Sequence, residues 1–403
     1  MTPRDRPWIA AGEAARLLRV SRATLYAYVS RGFVRSQATA GPSRDRLYSR
    51  DDVERLRRRA EARRDPGKAA ARSLQWGLPV LESSIAFIDG RSLYYRGHDA
   101  VVLSQSRPVA DIASLIWTGQ FGGACCAAPP RLSATPAALD KTLPFVARAQ
   151  AVLAAASVRD HAALDLRADS VARTGWRILH LLTRTAMPSP TSSPTIDRAL
   201  AGAWGVKARG EDLLRRALVL CADHELNVSA FTARCVASAG SHPYAVVIAG
   251  LAALEGTRHG GTSARVESML EALRQERHPH SAVTARLRRG EAIDGFGHPL
   301  YRDGDPRATA IIDSLREHYG KSRDLAFVLE IADAAASLTG ERPNLDFALV
   351  ALARTLRLPA GSPLTIFAIG RTIGWIGHAI EQYASGQLIR PRATYVGVVP
   401  ASS

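Results

Sequence analysis

Cysteine is scarce. The 403 residues hold four, at Cys125, Cys126, Cys221 and Cys235. None stands in a Cys-x-x-Cys pair and no metal-ligand spacing appears, so no metal is called for and a reducing cytoplasm is the expected compartment. Long apolar runs are missing too. None approaches the roughly 18 residues a spanning helix needs, and Met-Thr-Pro-Arg-Asp-Arg at the start lacks the apolar centre of a secretion signal. No membrane partner is expected. Strand-like alternation is rare. In its place stand Ala-rich periodic segments, which predict a mostly α chain. With 46% hydrophobic and 22% charged residues the composition is that of an ordinary globular protein, and the length allows two or three domains.

Acidic charge is what the first 75 residues lack. They carry 18 Lys and Arg against 8 Asp and Glu, a net +10, whereas the other 328 carry 35 against 29, a net +6. A local excess on a short segment points to a polyanion, and the segment is too apolar for a solubilising arm. Trp8 to Val20 reads as an amphipathic helix with Ala14, Leu17 and Leu18 inward. Ser21 caps a second helix, Arg22 to Ser30, with Leu25 and Val29 inward. Phe33-Val34 reads as a strand paired with Arg46-Leu47-Tyr48-Ser49 across a tip at Gly41-Pro42-Ser43, and Ser49 caps a third helix, Arg50 to Arg64. The order helix, turn, helix, basic wing, helix, with Glu13-Ala14-Ala15-Arg16-Leu17-Leu18 and Val20-Ser21-Arg22-Ala23-Thr24-Leu25, resembles the winged helix-turn-helix of the MerR and excisionase type. The resemblance implies duplex DNA as a partner of residues 1–65. Arg22, Thr24 and Tyr26 would face the major groove, and Arg44 and Arg46 on the wing would meet phosphate. The competing reading has this segment dock on its own core or on another protein. Residues 66–74, with Pro66-Gly67, form a linker.

The chemistry concentrates in Gly295-Phe296-Gly297-His298-Pro299-Leu300-Tyr301-Arg302-Asp303-Gly304-Asp305-Pro306-Arg307. Three glycines, prolines at 299 and 306 and no periodicity mark an irregular loop, and such loops more often carry sites than scaffold. The turn signals Asp303-Gly304 and Asp305-Pro306 fold Arg307 back toward His298. A neutral imidazole beside a guanidinium suits a keto-acid, with one donor for the carbonyl and one fork for the carboxylate. The pattern Gly-Phe-Gly-His-x-x-Tyr-Arg-x-x-Asp-Pro-Arg resembles the signature of citrate synthases.

Further matches lie in register. Leu81 to Gly90 followed by Tyr95-Arg96-Gly97 resembles the family's opening hairpin. In Asp223-His224-Glu225-Leu226-Asn227-Val228-Ser229, buried polar groups need partners, and by resemblance His224 binds oxaloacetate. Many members carry a second histidine where this chain has Cys221. His259-Gly260-Gly261 precedes a helix from Ala264 to Arg277 capped by Ser263. A histidine there is kept neutral by the helix N-terminus and can donate to a developing enolate, and in the family it faces the thioester carbonyl. An aspartate at a helix start is first of all a cap, yet in the family Asn-x-Asp supplies the base, here Asp346. Arg371 interrupts an apolar helix from Pro363 to Tyr383, where a guanidinium needs an anion; the family uses this arginine for a substrate carboxylate. Arg390 of Arg390-Pro391-Arg392 would reach the neighbouring subunit's site, which implies a homodimer.

The resemblance covers residues 75–403. It implies large and small helical domains, the small one roughly 261–355, preceded by the winged segment. The implied reaction condenses acetyl-CoA with oxaloacetate and hydrolyses the product to citrate and CoA, with no cofactor beyond the thioester substrate. Asp346 would take the methyl proton, His259 hold the thioester oxygen and His298 polarise the ketone. Arg307, Arg371 and a partner's Arg390 would hold the carboxylates, and Arg302 a CoA phosphate. Propionyl-CoA, giving 2-methylcitrate, is a competing substrate, since one methylene is worth only about 1–3 kcal/mol. A DNA-binding regulator whose core senses a metabolite is the competing class.

Overall fold

The Ala- and Leu-rich segments fold as helices in the computed structural model, which describes residues 7–38, 46–54, 56–57, 81–123, 126, 140, 142–188, 193, 195–276, 278–393 and 395–398. The chain divides into two compact units, residues 1–82 and 83–403. The expected linker and wing tip, with Arg44, fall outside the described residues.

The first unit holds helices Ala11–Leu18 and Arg22–Ser30 and a sheet of β1 (Trp8–Ala10), β2 (Ser36–Ala38) and β3 (Arg46–Ser49) in the order β1-β3-β2. Two expectations need correcting. Trp8-Ile9-Ala10 is a strand, not the first turn of a helix: Ile9 pairs with Tyr48 across an antiparallel ladder, and the two are 2% and 3% exposed. Cross-strand packing of two large apolar side chains outweighs local periodicity there. The strand opposite Arg46–Ser49 is Ser36–Ala38 and not Phe33-Val34. Phe33 and Val34 instead follow a turn at Gly32 (φ +75°), where Phe33 N donates to Tyr28 O at 2.9 Å, and Val34 drops into the core beside Leu25. Ser21 caps the second helix as expected, accepting from Thr24 N at 3.1 Å, and Ser49 accepts from Asp52 N at 3.3 Å where helix begins at residue 50.

In the second unit a small antiparallel sheet, β4 (Ala86–Ile88), β5 (Leu93–Tyr95) and β6 (His98–Asp99), leads into the helices. The helix Ser362–Ser385 runs through the core and packs against Val109–Thr118, Ala168–Ala186, Ala208–Leu220, Val228–Ser238 and Pro243–Leu254. Nearly every residue from Ser362 to Ile380 is buried. Glycines let neighbours approach it. A Cβ on Gly370 would fall 2.7 Å from Cys221 Cβ, and one on Gly374, a turn later, would meet the Asp223 carboxylate. Besides the short Ala100–Ser106, two helices, Val228–Ser238 and Pro279–Arg288, have no counterpart among the expected ones. The first is begun by a polar cap, Asn227 accepting from Ala230 N, which reads as an interruption; the second is short and rich in arginine. No helix among the described residues is long and apolar enough to cross a membrane.

Candidate active site

Helix Ala208–Leu220 ends in a turn at Cys221, and the chain crosses the middle of helix Ser362–Ser385 before helix Val228–Ser238 begins. The crossing is pinned by main-chain bonds. Gly374 N donates to Ala222 O at 2.9 Å, and the buried Tyr95 hydroxyl donates to Val219 O at 3.0 Å. Arg371 lies in this crossing, 1% exposed. Its Nε donates to Cys221 O at 2.8 Å and its Cζ stands 4.6 Å over the Phe367 ring. Nη2 is buried without any hydrogen-bond partner. Burial pulls this guanidinium's pKa down, Asp223 supports the charge, and Arg307 opposes it. A buried cation with a free donor pair is an anion seat that the fold itself leaves unfilled.

The loop 295–307 is stitched to the segment before helix Leu345–Leu356. Asn344 N donates to Gly295 O at 2.8 Å, Gly297 N to Arg342 O at 2.9 Å, and Asn344 Nδ2 to Gly297 O at 3.2 Å. Gly295 adopts φ +87°, and a Cβ there would press on Val266 and Phe347 at 2.8 and 2.9 Å, so position 295 admits only glycine comfortably. Asp305 does three things at once. It caps helix Pro306–Tyr319 at Arg307 N, grips Arg307 through Nε and Nη2 at 2.9 and 2.7 Å, and accepts from Leu345 N at 3.1 Å. Arg307 is 4% exposed; burial alone would weaken its charge, and Asp305 more than offsets that.

Three imidazoles face these two guanidiniums. His224 Nε2 shares a hydrogen bond of 2.9 Å with Tyr301 Oη, and its ring lies 5.0 Å from that of His298. His298 Nδ1 accepts from Leu300 N at 3.2 Å, which places the ring's proton on Nε2. Burial, then Arg307, lowers the His298 pKa to about 4; burial, then Arg371, does the same for His259; burial, Arg307 and Arg371 push His224 well below its ordinary value. All three are therefore neutral near pH 7. Burial and Arg371 both favour the neutral His259 that was expected, and the residue stands just before the Gly260 cap of helix Gly261–Arg274. His259 Nε2 lies 2.8 Å from Ser229 Oγ. That hydroxyl also bonds Asn227 Oδ1 at 2.8 Å and accepts from Trp375 Nε1 at 3.2 Å. Its single proton can serve Asn227 or His259, and when it serves His259 the ring carries its own proton on Nδ1, free to donate.

Asp346 sits in the first turn of helix Leu345–Leu356, but the cap is Asn344, whose Oδ1 accepts from Asp346 N and Phe347 N. The Asp346 carboxylate is left for other work. Ser263 Oγ donates to its Oδ1 at 2.6 Å. Burial raises its pKa to about 6, against the pull of the Ser263 hydrogen bond and of Arg307. Contrary to the expectation from sequence, Ser263 does not cap its own helix; that helix is Gly261–Arg274, preceded by Gly260 without a side-chain cap. Since Ser263 lies four residues beyond His259, the hydrogen bond brings Asp346 to the helix end that carries His259.

Arg307 acts electrostatically on Asp346, His224, His298 and Arg371, and Arg371 on His259 and His224. His224, His259, His298, Arg307, Asp346 and Arg371 thus form one electrostatically coupled cluster. Arg302 and Arg390 do not join it; both are exposed, and among the described residues Arg302 is tied by its main chain, N to Gly90 O at 3.1 Å. Cys221 is buried beside Arg371, its thiol pushed up to about 12 by burial. Among the described residues no group of three or more His, Cys, Asp or Glu could hold a metal ion. In the first unit, Arg22 and Tyr26 are exposed on the second helix, Thr24 is half-buried against Ser21 at 2.9 Å, and Arg46 reaches across to Ser36 Oγ at 3.0 Å.

Sequence reasoning missed the supporting groups: Ser229, Ser263, Tyr301, Asp305 and Trp375. Ser229 and Asp305 lay inside quoted motifs without a role. Ser263 reads as a cap and Trp375 as a core residue, because their partners are 83 and 146 residues away.

Comparison with known proteins bears on both units. The family model described as citrate synthase, C-terminal domain, matches residues 74–392, and that of the MerR HTH family regulatory protein matches residues 10–64. Citrate synthase 2 of Bacillus subtilis is 36% identical over 189 residues, 46% of this chain and 51% of that protein. 2-Methylcitrate synthase 2 of Corynebacterium glutamicum is 31% identical over 248 residues, 60% of this chain and 61% of that one. The chain thus spans about half the length of several curated relatives it matches. The crystal structure of citrate synthase from Thermotoga maritima superposes with a TM-score of 0.68 at 25% identity, over 81% of this chain and 96% of that one.

Proposed function

The chain belongs to the citrate synthase family, and on that premise we propose that it condenses an acyl-CoA with oxaloacetate and hydrolyses the adduct to a citrate and free CoA. The observation that carries this reading is the buried, unpartnered Nη2 of Arg371 beside neutral imidazoles and a carboxyl of raised pKa. A small dianionic keto-acid answers each feature. Arg371 takes one carboxylate. Arg307 offers the donors that Asp305 leaves open, and the exposed Arg390 of a second copy completes the seat, so the working form is a homodimer. His298, with its proton on Nε2, polarises the ketone, and His224 orients the acid. Asp346 removes the proton α to the thioester carbonyl; the electron pair moves onto the carbonyl oxygen, where His259 donates a hydrogen bond. The nucleophilic carbon then attacks the polarised ketone, and water cleaves the thioester. Residues 261–355 act as a smaller domain whose closure keeps water out until the carbon–carbon bond has formed. Arg302 meets a CoA phosphate from the surface. The chemistry asks for no cofactor beyond the thioester.

Acetyl-CoA is the first substrate to try and propionyl-CoA the second, since relatives of both names match. The test is free-thiol release by the purified full chain with oxaloacetate and either thioester, with the product identified by mass. Citrate or 2-methylcitrate formed in step with CoA supports the reading; no thiol release with either sinks it. The match of residues 10–64 to a MerR-type regulator and the exposed Arg22 and Tyr26 favour a second activity, duplex DNA binding by the first unit.

A further inference from the structure

Helix Gly261–Arg274 starts without a side-chain cap, although it has a serine and a threonine in its first turn. Ser263 is 2% exposed and turns away from its own helix end to donate a 2.6 Å hydrogen bond to Asp346 Oδ1, 83 residues away. Asp346 Oδ2 receives no hydrogen bond among the described residues. The two carboxylate oxygens are thereby made different: one is occupied, the other is free.

We propose that Ser263 is a positioning residue for the base, holding Asp346 by Oδ1 so that Oδ2 alone accepts the proton. The inference rests on the proposed proton abstraction by Asp346. A carboxylate on a helix's first turn has two χ angles to fix. The main chain fixes neither, because the Asn344 cap engages the Asp346 and Phe347 N–H groups and leaves the Asp346 carboxylate untouched. A short bond to a buried hydroxyl fixes both. It also works against burial: a donor on the charged form keeps the carboxyl from climbing further above its ordinary range. In the proton transfer, the C–H bond breaks, the proton joins Oδ2, and the electron pair moves to the thioester oxygen, while the Ser263 proton stays on Oγ. Ser263 therefore touches neither substrate nor the moving proton.

The experiment compares the full chain with Ser263→Ala and Ser263→Thr. For Ser263→Ala we expect kcat to fall by about 10- to 100-fold, as for a misplaced reacting group, with KM for oxaloacetate unchanged. The acid limb of the pH profile should move upward, because the ionised carboxyl has lost a donor. Ser263→Thr, which keeps the hydroxyl, should recover most of the rate and the original limb. A Ser263→Ala profile that does not move, with kcat within twofold of wild type, overturns the proposal. Carboxyl carbon-13 titration of Asp346 in wild type and both variants separates this from the underlying reading. If the chain turns over no thioester, the reaction is wrong, yet a Ser263→Ala titration displaced upward still upholds the hydrogen bond's role and an undisplaced one removes it.

Discussion

Burial holds the Asp346 carboxyl up at about 6, so near neutral pH it is charged in a place that resists charge. The native state binds this proton more tightly than the unfolded chain does. Its contribution to stability is present below the usual carboxylate value, near pH 3.8, and is lost as pH rises through about 6. Asp346→Asn, a neutral isostere that can still accept from Ser263, should therefore stabilise the protein at pH 7.5 by roughly 1–3 kcal/mol, with the gain shrinking toward pH 4. Thermal melts across that range measure it; equal melts at both ends would contradict the raised pKa. Activity should show the opposite dependence, kcat/KM rising with one proton through about pH 6 as the base ionises. His259 and His298, at about 4, should add no step above pH 5. Arg371 is a second residue held at a cost. Arg371→Met keeps the volume and removes a buried, half-partnered cation, so the melting temperature should stay level or rise. Oxaloacetate affinity by calorimetry should drop at least 100-fold. A destabilised variant that still binds would show that Arg371 serves the fold and not the ligand.

The site belongs to no single element. Helix Leu345–Leu356 brings Asp346, the turn before Gly261–Arg274 brings His259, and the loop 295–307 brings His298 and Arg307. Asp305 couples the first and last of these regions through Arg307 and Leu345 N. Asp305→Ala strands a buried guanidinium and a main-chain donor together, and the cost should be about 3–5 kcal/mol, read as a fall in the denaturation midpoint; a change under 1 kcal/mol would mean the loop is held by other bonds. This is also where the sequence ran out. The long helix Ser362–Ser385, of strong period, was legible to within a residue or two, because periodicity is local. So were the residue types at 224, 259, 298, 307, 346 and 371, which stand out against their apolar or glycine-rich surroundings. What was not legible is pairing across distance. Trp8-Ile9-Ala10 has helical neighbours but is claimed by Tyr48, and Ser263 looks like a cap but is claimed by Asp346. A partner dozens of residues away leaves no mark on the local pattern.

At the scale of the whole molecule, the chain divides into two compact units, the basic excess falling on the first. If that unit binds duplex DNA, the full chain should shift a DNA fragment at 50 mM salt and lose at least tenfold in affinity by 200 mM; Arg46→Ala, which removes an expected phosphate contact, should weaken binding on every sequence tried. Binding insensitive to salt, or none at 50 mM, would assign the segment to another partner. The account as a whole depends on proton removal by a carboxylate close to a seated keto-acid, and one comparison tests that most directly: oxaloacetate-dependent CoA release by wild type and by Asp346→Asn, with oxaloacetate binding measured on both. The account predicts release by wild type only when oxaloacetate is present, and near-complete loss in the variant, by a factor of at least 10², with binding intact. Release at the wild-type rate from Asp346→Asn would contradict it.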